Sequence, residues 1–173
     1  MMGPGEICHA GFGQTVIGEL DGKASDRISK IRDIFTESGL ETVISNNILG
    51  LVWDKLIVNI GINPLAALTG LENGKLLLYP ELLFIMERAV NEAVEVCRKK
   101  GIKLSKEDPF SYVKEVAEKT SHNKCSMLMD IQNKRKTEID MINGALVREA
   151  KSLDMEVPVN EILTKFIKFL EKR

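Results

Sequence analysis

Lys55, Asn59 and Asn63 recur at four-residue spacing inside an otherwise apolar stretch, Leu51 to Gly70. On a helix each such step turns about 40° past a full turn, so the three side chains run along one stripe. An ammonium followed by two amides can grip an oxygen-rich small molecule, and the ammonium can also protonate a developing alkoxide. Asparagine is a poor helix former, and amides in a buried helix need hydrogen-bond partners. The competing reading makes Asp54, Lys55, Asn59 and Asn63 a thin solvated face. Against it, the stripe is one residue wide and is flanked by Leu56, Ile57, Val58, Ile60 and Ile62. Pro64 also pushes the residue before it away from helical geometry. The stretch is expected to bend at its polar stripe, to wall a cleft, and to be too short and interrupted to span a membrane.

A second polar cluster lies in a helix read from Ser126 to Leu153. Asn123 and Ser126 stand at its entrance, where free backbone N–H groups favour an anion such as a carboxylate. Glu138 follows a little over three turns on, close to the azimuth of Ser126. The plainer alternatives are simple capping for Asn123 and Ser126, and a surface carboxylate for Glu138.

The elements that must carry these groups are bounded by composition. The chain has 173 residues, 44% hydrophobic and 28% charged, which suits a soluble globular protein with a sizeable core. A net charge of −1 argues against nucleic acid or anionic lipid as partner. Cys8, Cys97 and Cys125 show no C-x-x-C spacing, and with only His9 and His122 beside them no metal site can be assembled. Reduced thiols and the absence of an apolar leader at the first residues predict a cytoplasmic protein.

Residues 6–20 read as a β-hairpin turning at Gly11-Phe-Gly13, whose third fingerprint position is Val16, so the turn is no dinucleotide loop. Ser25 caps a helix with an apolar stripe at Ile28, Ile31, Ile34 and Phe35 that Gly39 ends, and Leu40–Ile44 is a strand. From Asn46 onward only helices are expected: Leu51–Leu68, Pro80 to about Lys100, Phe110–Thr120, Ser126–Leu153 and Glu161–Lys172. The fold class is mainly α, with a short hairpin–helix–strand segment (1–46) ahead of an all-helical domain (47–173).

Taken in order, Lys55-Leu-x-x-Asn59-x-x-x-Asn63-Pro, Asn123-x-x-Ser126-Met-Leu-x-Asp130 and Thr137-Glu-Ile-Asp-x-Ile-Asn-Gly144 resemble the signature blocks of the ketopantoate reductase (2-dehydropantoate 2-reductase) family. Trp53, Gly18-Glu19 and Pro158-x-Asn160 fit the same pattern, which covers essentially the whole chain. The resemblance implies an oxidoreductase that uses NADPH to reduce the 2-keto acid 2-dehydropantoate to pantoate, for pantothenate and coenzyme A synthesis. It implies Lys55 as general acid, and Asn59, Asn63, Asn123 and Ser126 as substrate contacts. Glu138 is implied as a catalytic residue that organises substrate and cofactor. It also makes residues 1–46 the tail of a Rossmann domain, the glycine-rich fingerprint and the family's upstream active-site asparagine being absent. Cys125 and Met129 replace a serine and a glutamine common in the family. The partners so implied are the keto acid and either a second copy or a missing Rossmann half. The rival reading is a non-catalytic helical binding or dimerisation module, or one half of a split reductase.

Overall fold

The structure, a computed structural model, describes residues 5–6 and 13–173. It is mainly α, and the chain divides into two compact units between Leu49 and Gly50.

In the first unit, β1 (Thr15–Ile17), α1 (Asp26–Glu37) and β2 (Thr42–Ile44) form a β–α–β arrangement. The strands pair in parallel, Thr15 opposite Thr42 and Ile17 opposite Ile44. Of the hairpin expected over 6–20, the second arm contains β1, joined to β2 through α1 because parallel strands require a crossover; residues 7–12 of the first arm and turn lie outside the described residues. Alternating β-branched residues announce a strand but not its partner. Ser25 caps α1 as expected, its Oγ accepting from the Ile28 N–H at 3.2 Å. Behind the cap, Glu19 accepts from Ser25 Oγ at 2.5 Å and pairs with Arg27 at 2.5 Å. The Ser25 and then the Arg27 hydrogen bonds hold the Glu19 carboxyl below its ordinary range. Gly18 is required by close approach, since a Cβ there would lie 2.6 Å from the Ser45 carbonyl oxygen. The expected inward stripe of α1 is buried only at Ile28, and Ile34 is 60% exposed. The two strands among the described residues are too narrow a platform to cover the helix.

In the second unit the organising element is α2 (Ile48–Thr69), whose residues Ile60 to Ala67 are all buried. Pro64 lies inside α2 without ending it, as in the single helix expected over Leu51–Leu68. Proline removes the N–H that would bond the carbonyl four residues back. Asn143 takes that place, its Nδ2 donating to the Ile60 oxygen at 3.4 Å. At 22 residues α2 is also long and apolar enough to cross a membrane by length and composition, contrary to the expectation, with half of its most apolar window buried in the protein.

Around α2 pack α3 (Pro80–Lys99), α4 (Pro109–Lys119), α5 (Ser126–Gln132), α6 (Asn143–Ser152) and α7 (Pro158–Leu170). Ile57, Ile60 and Leu65 of α2 share one core with Met86 and Val90 of α3, Val113 of α4, Leu146 of α6 and Ile167 of α7. Gly61 lets α3 and α4 approach: a Cβ there would stand 3.0 Å from Val113 and 3.1 Å from Val90.

The single helix expected over Ser126–Leu153 is broken into α5, a 3-10 turn at Ile139–Met141, and α6. The break begins at Lys134, with φ of 53°. Tertiary contacts hold it open, because Glu171 beyond α7 accepts from both the N–H and the Oγ1 of Thr137 at 2.7 Å. The α7 N-terminus also differs from expectation. Pro158 and Asn160 belong to its first turn, and the cap comes from α3: Glu92 accepts from the Val159 and Asn160 N–H groups at 2.9 and 3.0 Å. A carboxylate meets there the free donors and positive end of a helix.

Candidate active site

Burial rises along the predicted stripe of α2: Lys55 is exposed, Asn59 half-buried and Asn63 only 6% exposed. No hydrogen bond or ion pair among the described residues engages the Lys55 ammonium or the Asn59 and Asn63 side-chain amides. Sealed, unpartnered side-chain atoms occur at Asn73 and Asn143 but not at Asn63. A nearly buried amide without a protein partner is uncommon, since such groups are normally satisfied within the fold. Asp54 does not belong to this stripe. It is buried and accepts from the Ser105 N–H at 3.1 Å and from the Ser105 hydroxyl, which overturns its place in a solvated face.

The deep end of the stripe meets the start of α5. Cys125, the N-cap residue, donates its Sγ–H to the Asn63 carbonyl at 3.7 Å and accepts from the Leu128 N–H at 3.4 Å. Burial pushes its thiol pKa up, so it serves here as a neutral cap. Ser126, the next residue, is exposed at the first position of α5 and so stands beside the Asn63 backbone. Asn123 is exposed two residues before the cap, and its carbonyl accepts from the Asn73 N–H at 3.0 Å. The structure therefore joins Asn63 to the Cys125–Ser126 step, with Asn123 just ahead of it.

Glu138 is placed differently from the expectation. It is not on one helix with Ser126, so the shared-azimuth argument fails. It is exposed, it precedes the 3-10 turn, and among the described residues no hydrogen bond links its carboxylate to the α2 stripe. Its segment is nevertheless tied to the middle of α2, because Asn143, five residues on, bonds the Ile60 carbonyl next to Asn59.

Among the described residues no group of three His, Cys, Asp or Glu side chains is arranged to hold a metal. A groove of about 720 Å³ lies elsewhere, between α3 and the start of α7, and contains none of the six predicted site residues.

A family profile described as the ketopantoate reductase PanE/ApbA C terminal matches residues 47–171. The chain belongs to the ketopantoate reductase family. It is 34% identical to the 2-dehydropantoate 2-reductase of Halobacterium salinarum over 98% of its own length and 55% of the relative's. Against that of Escherichia coli O157:H7 it is 38% identical over 94% and 52%. The PanE/ApbA family ketopantoate reductase of Ralstonia eutropha superposes with a TM-score of 0.90 at 30% identity, over 99% of this chain and 56% of that one. D-mandelate dehydrogenase in complex with NADH superposes equally well, with a TM-score of 0.90 at 27% identity, over 99% and 58%. The chain thus spans about half the length of the curated relatives it matches.

Several residues that carry the ketopantoate reductase resemblance serve the scaffold. Fully buried Asn143 and Asn160 join, Asn143 Nδ2 donating to Asn160 Oδ1 at 2.8 Å. Asn160 Nδ2 then donates to Glu92 at 2.7 Å and to the Ala89 carbonyl at 3.0 Å. This network locks α2, α3, α6 and α7 together around the polar stripe. Sequence reasoning missed Glu92, Asp54 and Cys125 as groups that hold the site's elements. For Cys125 the signal was present, since it occupies a position where a capping serine is common.

Proposed function

We propose that this chain supplies the substrate-binding part of an NADPH-dependent 2-dehydropantoate 2-reductase, a cytoplasmic enzyme of pantothenate and coenzyme A synthesis. The observation that carries this reading is the unpaired Lys55 ammonium on one stripe with the unpartnered, nearly buried Asn63 amide. The relatives' names supply the substrate class. Lys55 donates a hydrogen bond to the keto oxygen and then a proton as that oxygen becomes a hydroxyl. Asn59 and Asn63 bind the substrate's oxygen atoms, and Asn123 and Ser126 hold its carboxylate. Glu138 orients substrate and cofactor.

The described residues do not fit a dinucleotide. Its phosphates need a glycine turn leading into a free helix N-terminus. The one helix of the α/β unit has that position taken by Ser25 with the Glu19 carboxylate behind it. The nicotinamide cofactor is therefore assigned to a separate dinucleotide-binding part, and the half-length match to the relatives favours the split or partial form of the reading.

The test is to titrate pantoate into the chain and follow the side-chain amide signals of Asn59 and Asn63. The chain is then joined, fused or in trans, to a family dinucleotide-binding domain and assayed for 2-dehydropantoate-dependent NADPH oxidation. Binding that moves those amides, and activity only in the joined protein, are expected. No amide response together with no activity would leave a helical module without this chemistry.

A further inference from the structure

Where α5 and α7 end, their C-terminal residues enclose a recess of about 450 Å³ that none of the six predicted site residues lines. Its floor is apolar, made by Ile131 of α5 and Leu170 of α7, both half-buried. Its rim is cationic. Lys134 and Arg135 come from the turn after α5, Lys172 and Arg173 from the residues that follow α7, and all four are exposed. In sequence these are two separate basic runs, and only the fold sets them around one space.

Little of this charge is used within the fold. No hydrogen bond or ion pair among the described residues engages the side chains of Lys134, Lys172 or Arg173. Arg135 meets Asp130 through its Nε at 3.3 Å, which leaves the two terminal nitrogens of its guanidinium available. The one acid lining the recess, Glu171, is committed to Thr137, whose N–H and Oγ1 both donate to it. Lysine at 134 is itself unusual. The Lys134 N–H bonds the Ile131 carbonyl at 3.1 Å and the Arg135 N–H the Asp130 carbonyl at 2.8 Å, a pattern that closes a helix through a left-handed residue. Glycine suits that residue best, yet Lys134 holds it with φ of 53°. Cations at helix C-termini also complement the helix dipoles, which explains their sign but not the apolar recess they surround.

Free ammonium and guanidinium groups above an apolar floor suit a small amphipathic anion, and the volume is that of a small-molecule pocket. Among anions, a phosphate offers enough oxygens to take a guanidinium fork and ammonium groups at once, whereas a carboxylate offers two. We infer that this recess binds a small organic phosphate ester. Lys134, Arg135, Lys172 and Arg173 hold the phosphate, and Ile131 and Leu170 lie under the organic part. Glu171 ties the recess to Thr137, so the turn before Glu138 senses its occupancy. Nothing in this binding requires the chemistry proposed for the α2 stripe.

The probe is phenyl phosphate, titrated into the full chain at about 0.15 M salt, which screens diffuse surface attraction. Calorimetry should show saturable binding, and the backbone amide signals of Lys134, Arg135, Thr137 and Lys172 should move. Inorganic phosphate should bind about tenfold more weakly because it lacks the apolar contact, and phenol should not bind measurably. Lys134→Gly should lower the affinity for phenyl phosphate about tenfold, as loss of a charge-assisted hydrogen bond does. The same variant should unfold at an equal or higher temperature, because glycine fits the left-handed turn. Lys172→Gln should weaken binding similarly, whereas Lys165→Gln, whose ammonium pairs with Glu161 at 2.6 Å, should not. Absence of saturable binding overturns the proposal. So does equal affinity for inorganic phosphate, binding that both Lys134→Gly and Lys172→Gln leave intact, or signal changes spread over lysines away from the recess.

Discussion

A lysine without a partner, on one helix stripe with a nearly buried and unpartnered amide, is the observation on which the chemistry rests. In the joined enzyme, Lys55→Ala should lower kcat by about 10²-fold or more, the usual scale for losing a positioned proton donor. Lys151→Ala, on an exposed face of α6, should leave it unchanged. Steady-state rates with 2-dehydropantoate decide between a catalytic and an incidental Lys55. A second expectation concerns Cys97, whose thiol pKa is pushed from 9.0 up to about 12, first by burial and then by the Asp54 charge. An acid whose folded pKa is raised holds its proton more tightly when folded. The stability tied to it is complete below about pH 9 and is lost as pH rises towards 12. Urea titrations across that window should show the wild-type chain losing stability relative to Cys97→Ala. Parallel curves would mean that Cys97 ionises as freely in the fold as out of it.

At the scale of elements, α2 depends on a group from another helix. Pro64 withholds a hydrogen bond from the Ile60 carbonyl, and Asn143 replaces it. Asn143→Ala should therefore cost about 2–4 kcal/mol, since it strips partners from Ile60 and Asn160 in the core. Pro64→Ala returns a helical N–H to Ile60, so it should recover part of that loss in the Asn143→Ala background while gaining little alone. Chemical denaturation of the four proteins in the cycle measures the coupling. Additive effects would show that the Asn143–Ile60 contact carries no weight. The same dependence explains why the Glu138 turn can be held near α2 without lying on a continuous helix.

At the scale of the molecule, the first unit leaves apolar surface that the two described strands do not cover: Ile34 on α1 is exposed, as are Leu20 and Leu40. Such surface promotes association. Light scattering of the isolated chain should rise with concentration, and Ile34→Lys should reduce it. Scattering unaffected by Ile34→Lys would place the association elsewhere. A dinucleotide-binding part supplied in trans should suppress it as well.

Much of this was legible without coordinates because it is local. Ser25 and its helix, the start of α3 at Pro80, α4 following Asp108, and the alignment of Lys55, Asn59 and Asn63 all follow from caps, periodicity and four-residue spacing. The ordered blocks along the chain likewise named the family that the profile match later showed. Other features depend on partners far away in sequence. The parallel pairing of β1 with β2, the Asn143 amide that replaces the hydrogen bond Pro64 withholds, and the break that places Glu138 off α5 are of this kind. So are the burial of Asp54 against Ser105 and the capping of α7 by Glu92. A sequence window shows which backbone groups a proline or a helix end leaves without partners. Which distant side chain satisfies them was decided only when the chain closed around its core.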